Sequence, residues 1–169
     1  MRRWGSRRAV WVEHNSAVRI SAKADYAVRA VVELAASADR GPIHGDQIAR
    51  AQSIPLKFLL NILTELRHAR IVQSQRGSVG GYQLARPAEQ ITLAEVIRAV
   101  EGPLANVHES RPEELEYPGP AAALRDVWIA VRASLRSVLE EVTVADLAEG
   151  NLPDSVRELA SDPDAWAAR

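Results

Sequence analysis

Lys57 and Asn61 stand one helical turn apart in the segment Pro55–Ala69, whose apolar residues Leu59, Ile62, Leu63 and Leu66 form the opposite stripe. A lysine and an asparagine displayed together reach the hydrogen-bonding groups on a base edge. Lys57, Leu60, Asn61 and Thr64 leave this second face largely polar, which a core helix does not need and a helix entering a groove does. Arg76 opens the run Arg76-Gly77-Ser78-Val79-Gly80, whose glycines supply a turn. A lone arginine at a glycine-flanked tip has no packing role, and it suits the negative floor of a narrow minor groove. Ser78 sits beside it. Lys23, Arg50 and Arg86 are cations of the kind that fix a protein on phosphates without reading sequence. Tyr26 and Pro55 complete the candidate surface. The plain alternative for Lys57 is a solvated surface lysine.

Other chemistries are poorly served. The chain has no cysteine, which rules out disulfides, thiol catalysis and thiolate-held metal or iron–sulfur sites. No G-K-[ST] follows the glycine run and no helix starts there, so it is not a phosphate loop of the nucleotide-binding kind. No Ser/His/Asp set or paired carboxylates stand out, and the expectation is a non-enzyme. His44 and His108 read as solvated loop histidines, with a simple metal site as the rarer reading. No cofactor is expected.

The elements that must position these residues follow from periodicity. Ser21 caps a helix with Ala24, Ala27, Val28, Val31, Leu34 and Ala35 on one face, ended by Gly41-Pro42. A short helix over 46–52 buries Ile48 and Ala49; Ser53-Ile54-Pro55 breaks the chain, and Pro55 starts the next helix. Ile71–Gln75 and Gly81–Ala85 alternate as a hairpin. Thr92 and Glu95 form a capping box for a helix to about Glu101. A polar, acidic stretch with several prolines follows. Ala121–Val142 then carries Leu124, Trp128, Val131, Leu135, Val138 and Val142 at alternating spacings of four and three, an a/d seam. Helix, short helix, turn, longer helix and hairpin, in that order, make a mainly α fold with a two-stranded wing: a winged helix-turn-helix followed by a long helix. That helix is long enough to project from the compact unit and pair with a second copy, although a helix of this kind also packs on its own domain.

The 169 residues allow one domain with an appendage, and 28 alanines favour helix. The net charge of −1 hides an asymmetry: residues 1–88 hold 14 Lys and Arg against 6 Asp and Glu, and residues 89–169 hold 7 against 16. A basic half suits a polyanion. No apolar run nears the ~20 residues that span a bilayer. A cytoplasmic protein is expected, nucleoid-associated when bound to DNA.

The segment Arg19–Ala30, the stretch Gln47–Leu66 and the wing motif R-G-x-x-G-G-Y-x-L over 76–84 resemble the Rrf family of bacterial transcription regulators, with a likeness over 18–148. The resemblance implies a homodimer joined by a long antiparallel helix, with double-stranded palindromic DNA as partner. By position, Pro55 and Lys57 match recognition-helix contacts and Arg76 matches the wing arginine. Leu60 departs from a glutamate that reads bases in many members, which implies a different operator. Many members hold an iron–sulfur cluster through cysteines in the loop matching 103–120; this loop has His108 and Glu109 but no thiolate.

The expected organisation is therefore a basic tail over 1–17, a DNA-binding domain over 18–101, a sensor-type loop over 102–120, a dimerisation helix over 121–148 and a weakly structured tail over 149–169. Family proteins begin near the match to Val18, so residues 1–17 are either an over-called start or a real basic arm. His108 and Trp128 are candidates for an effector pocket taking a small molecule or protein partner, with Trp128 as dimer core the equal alternative. The function expected is a sequence-specific regulator that represses. The competing class is a winged-helix protein-interaction scaffold, which has no need of a basic first half.

Overall fold

The structure is a computed structural model that describes residues 20–77, 80–108 and 110–167. Helix α1, Ala22–Ala36, starts where the Ser21 hydroxyl accepts a hydrogen bond from the Ala24 N–H at 3.0 Å. It buries Ala24, Ala27, Ala30, Val31 and Leu34, the face expected from the spacing, and small alanines let neighbouring helices approach closely. Helix α2, Gly45–Ala51, and helix α3, Leu56–His68, are joined by a turn in which Ser53 adopts a left-handed φ of 53°. Helix α3 buries Leu59, Ile62, Leu63 and Leu66 against α1, α2 and α4. Pro55 is the residue that caps α3 rather than its first helical residue, a shift of one position at a helix end.

Strands β1, Val72–Gln75, and β2, Gly81–Leu84, pair antiparallel with Val72 opposite Leu84 and Gln75 opposite Gly81. Ile43 extends this ribbon: its N–H donates to the Tyr82 carbonyl at 3.0 Å, and the Tyr82 N–H returns the bond at 2.8 Å. Gly81, at φ 147°, runs so close to this segment that a Cβ there would stand 2.5 Å from the Ile43 carbonyl oxygen. Helix α4, Leu93–Glu101, carries the expected capping box: the Glu95 N–H donates to the Thr92 hydroxyl, and the Glu95 carboxylate accepts the Thr92 N–H.

Helix α5 runs over Leu124–Leu139 and buries none of its residues. It is shorter at both ends than the pattern predicts. Gly119–Ala121 forms a 3-10 turn, and the helix stops before Glu140. The chain then folds back into its own core: Val142 is 2% exposed, its carbonyl accepts the Leu93 N–H at 2.9 Å, and the Val144 N–H donates to the Ile91 carbonyl at 2.8 Å. Val142 therefore does not belong to an intersubunit seam. Its spacing fits the heptad, but burying an isopropyl group in the core while the backbone completes its bonds to 91–93 outweighs one more helical turn. Helix α6, Val144–Glu149, has its own capping box, from Thr143 and Asp146, and packs on α1. Beyond it the expected weakly structured tail instead contains helix α7, Asp154–Ser161, with the Ser155 hydroxyl donating to the Glu141 carboxylate at 2.7 Å. Pro153 occupies its N-cap position without a side-chain hydrogen bond, and none of the helix's residues is buried.

Among the described residues no buried side-chain nitrogen or oxygen is left without a hydrogen bond, and no helix is long and apolar enough to cross a membrane.

Candidate nucleic-acid interface

Helix α3 presents Lys57, Asn61 and Thr64 on its outer face, all exposed. The Thr64 hydroxyl donates to the Leu60 carbonyl at 2.9 Å. No side-chain hydrogen bond or ion pair of Lys57, Asn61 or Arg76 occurs among the described residues, so these donors stand ready for an external acceptor.

The wing is tied to α3. The Ile71 N–H, at the start of the wing, donates to Leu66 of α3 at 2.9 Å, and the Arg67 guanidinium reaches the Ser74 hydroxyl at 3.5 Å. Gly45 lets the pieces meet: a Cβ there would lie 3.2 Å from Leu60 and 3.6 Å from the Tyr82 ring. Helix and hairpin thus pack together, with exposed Arg76 where β1 ends. Ser78 lies outside the described residues.

The remaining candidates divide by what they already hold. Arg50 is exposed and pairs with Asp46 one turn away at 2.6 Å. Tyr26 is half-buried and edge-on to Phe58, with ring centroids 6.4 Å apart, while the Arg29 guanidinium lies over the Tyr26 ring at 5.6 Å. Lys23 is engaged internally: its ammonium donates to the Val100 carbonyl at 2.6 Å and pairs with Glu65 at 2.8 Å, tying α1 to α3 and α4. Arg86 is likewise engaged, donating to the Gln90 carbonyl at 2.5 Å and to Glu95 at 2.8 Å. Burial pushes the Glu95 carboxyl up, but the Thr92 N–H, the Arg86 bond and charge, and the Thr92 hydroxyl outweigh it and hold the group below its ordinary value. Both cations brace the domain.

Sequence reasoning passed over Phe58, which is 54% exposed beside Lys57. Its position between the buried and outer stripes is the signal that could have found it.

The loop over 102–120 leans on α5. The Trp128 indole N–H donates to the Tyr117 hydroxyl at 3.1 Å, and Arg132 pairs with Glu113 at 2.5 Å. The Glu113 carboxyl is held below its ordinary value, first by its own backbone N–H; burial pushes it up, and the Arg132 bond and charge with the Arg111 charge add to the lowering. His108 is exposed, at a left-handed φ of 49°. A cavity of about 420 Å³ lies elsewhere, between the end of α1 and the foot of the wing, lined by Leu34, Ala35, Gly41, Leu84 and Pro87 among others.

The sequence pattern of Rrf2, described as an iron-dependent transcriptional regulator, matches residues 20–150. The chain belongs to the Rrf2 family. It is a DNA-binding transcriptional regulator with a winged helix-turn-helix. A Mycobacterium tuberculosis protein carrying the name of an HTH-type transcriptional regulator is 54% identical over 145 residues, covering 86% of this chain and 90% of the relative. CymR of Bacillus subtilis is 35% identical over 131 residues, covering 78% of this chain and 90% of CymR. Among solved structures, B. subtilis CymR (YrzC), the global cysteine regulator, superposes with a TM-score of 0.67 at 34% identity, covering 79% of this chain and 98% of that one. T. potens IscR superposes with a TM-score of 0.64 at 29% identity, covering 90% and 93%.

The iron in the Rrf2 description finds no matching donors in this member. The chain has no thiolate, and among the described residues no group of three or more His, Asp or Glu could hold a metal ion. Iron–sulfur clusters are held by cysteine thiolates, which histidine replaces only in part, so the residues present do not fit one.

Proposed function

We propose that this Rrf2 regulator acts as a homodimeric repressor on a palindromic operator, placing the first turns of two α3 helices in successive major grooves with the wings on the flanking backbone. The observation that supports this reading is that Lys57 and Asn61 on α3 and Arg76 at the end of β1 are all exposed and their side chains uncommitted. Two-fold pairing sets half-sites about 34–36 Å apart, one turn of duplex.

Pairing through α5 supports the reading. Leu124, Trp128, Val131, Leu135 and Val138 form a stripe that is only half-buried within the chain, and adjacent Val127 is 51% exposed. An unfilled apolar stripe along a 16-residue helix gains its burial from a second copy. The Tyr117–Trp128 and Glu113–Arg132 contacts join the loop over 102–120 to this helix, so a small-molecule or protein effector acting there would alter the spacing of the two reading heads. In this reading the protein works in the cytoplasm and catalyses no reaction.

The test is a mobility-shift titration of the full chain on the DNA upstream of its own gene across a range of salt. A dimer complex whose affinity falls steeply with salt is expected. A monomeric protein with no shift at low ionic strength would refute the reading.

A further inference from the structure

Helix α3 carries an unusual load for a surface that meets DNA: Leu56 is 43%, Phe58 54% and Leu60 40% exposed. They flank the polar stripe on both sides, Leu56 and Leu60 on one edge and Phe58 on the other. Two of them are braced. Leu60 packs where Gly45 leaves room, with a Cβ position only 3.2 Å from its methyl, and the Phe58 ring meets Tyr26 edge-on. Braced apolar groups lose little freedom on binding, and they gain only if their target is itself apolar.

The major groove offers one such target, the 5-methyl group of thymine. Polar readers in this part of the helix are few. Residues 55–64 contain no arginine to fork onto guanine and no carboxylate to accept from cytosine N4. Asn61 matches adenine, and Lys57 alone suits guanine.

We infer that Leu60 and Phe58 of α3 read thymine methyl groups on either side of the Lys57–Asn61 stripe, so that this regulator selects half-sites dominated by A·T pairs. The inference rests on the DNA-reading role proposed above and specifies its base chemistry.

The test uses the full chain to select from random duplexes at low salt, then replaces each thymine of the selected half-site by uracil, which deletes only the methyl group. Loss of one buried methyl is worth ~0.8 kcal/mol, or about fourfold in Kd per half-site. Two uracil-sensitive positions are expected. Leu60→Ala removes the penalty at one and Phe58→Ala at the other, with the salt dependence unchanged. Because uracil alters the DNA alone, the first result does not depend on how the variants fold. Full affinity for every uracil duplex overturns the methyl reading while leaving sequence-specific binding intact. Uracil penalties that persist unchanged in both variants also overturn it. Selection that enriches no sequence overturns the DNA-reading role and this inference together.

Discussion

The Arg86 guanidinium closes on Glu95 at 2.8 Å, joining the end of the wing to the capping box of α4. One carboxylate thus serves as helix cap and as counter-ion. Arg86 cannot leave for a phosphate without exposing both the Gln90 carbonyl and the Glu95 charge.

Arg86→Ala is therefore expected to cost about 1 kcal/mol of stability, a partly exposed pair plus one hydrogen bond, read from urea denaturation. The sign of the pH effect follows from Glu95. Its native carboxyl is held below the ordinary 4.5, so the unfolded chain binds its proton more readily. The stabilisation is complete above pH 4.5 and is lost as pH falls from there through the lowered native value. Glu95→Gln should flatten the urea midpoint in that acid window and leave its shape at neutral pH unaltered.

Gly81→Ala should destabilise by more than about 2 kcal/mol, because the new methyl would lie 2.5 Å from the Ile43 carbonyl at a φ of 147° that L-residues rarely adopt. Thermal unfolding followed by circular dichroism reads this out. A variant that melts with the parent would mean that the wing does not sit against Ile43.

Arg76→Ala should leave the melting temperature unchanged, since the side chain has no partner among the described residues. In mobility-shift titrations it should weaken binding and lower the slope of log affinity against log salt by about one. An unaltered slope would remove Arg76 from the interface.

Leu135→Asp and Val142→Asp should separate two roles that the heptad spacing places on one stripe. Leu135 is half-buried on α5, and its variant should remain folded but sediment as a monomer. Val142 is 2% exposed in the core, and an unpaired carboxylate there should unfold the domain, by about 3 kcal/mol or more. Sedimentation and circular dichroism on both proteins check the contrast.

Much of this architecture was legible because it is encoded locally. Ser21 capping α1, the Thr92–Glu95 box and the glycines around Arg76 each act within a few residues, and each appears where its chemistry requires. The bend after α5 was hidden, because the spacing through Val142 continues a heptad that only contact with Leu93 and Ile91 interrupts. The partners of Lys23 were hidden for the same reason: Glu65 and Val100 are distant in sequence, so a braced lysine and a free one read alike. For the candidate DNA surface, residue types pointed to Lys57, Asn61 and Arg76. That Phe58 stands outside the core depended on how α1 and α3 pack.

The return of the chain at Val142 has a mechanical corollary. Residues 142–144 are stitched by backbone bonds to 91–93, beside the cap of α4, while α5 touches little else of the reading head. The long rod is thus clamped to this head at one end, while along its length it meets the loop over 102–120. Twisting the rods of a pair would turn each head about that clamp as a crank turns on its bearing, and a small shift at the far tip would sweep α3 along the duplex.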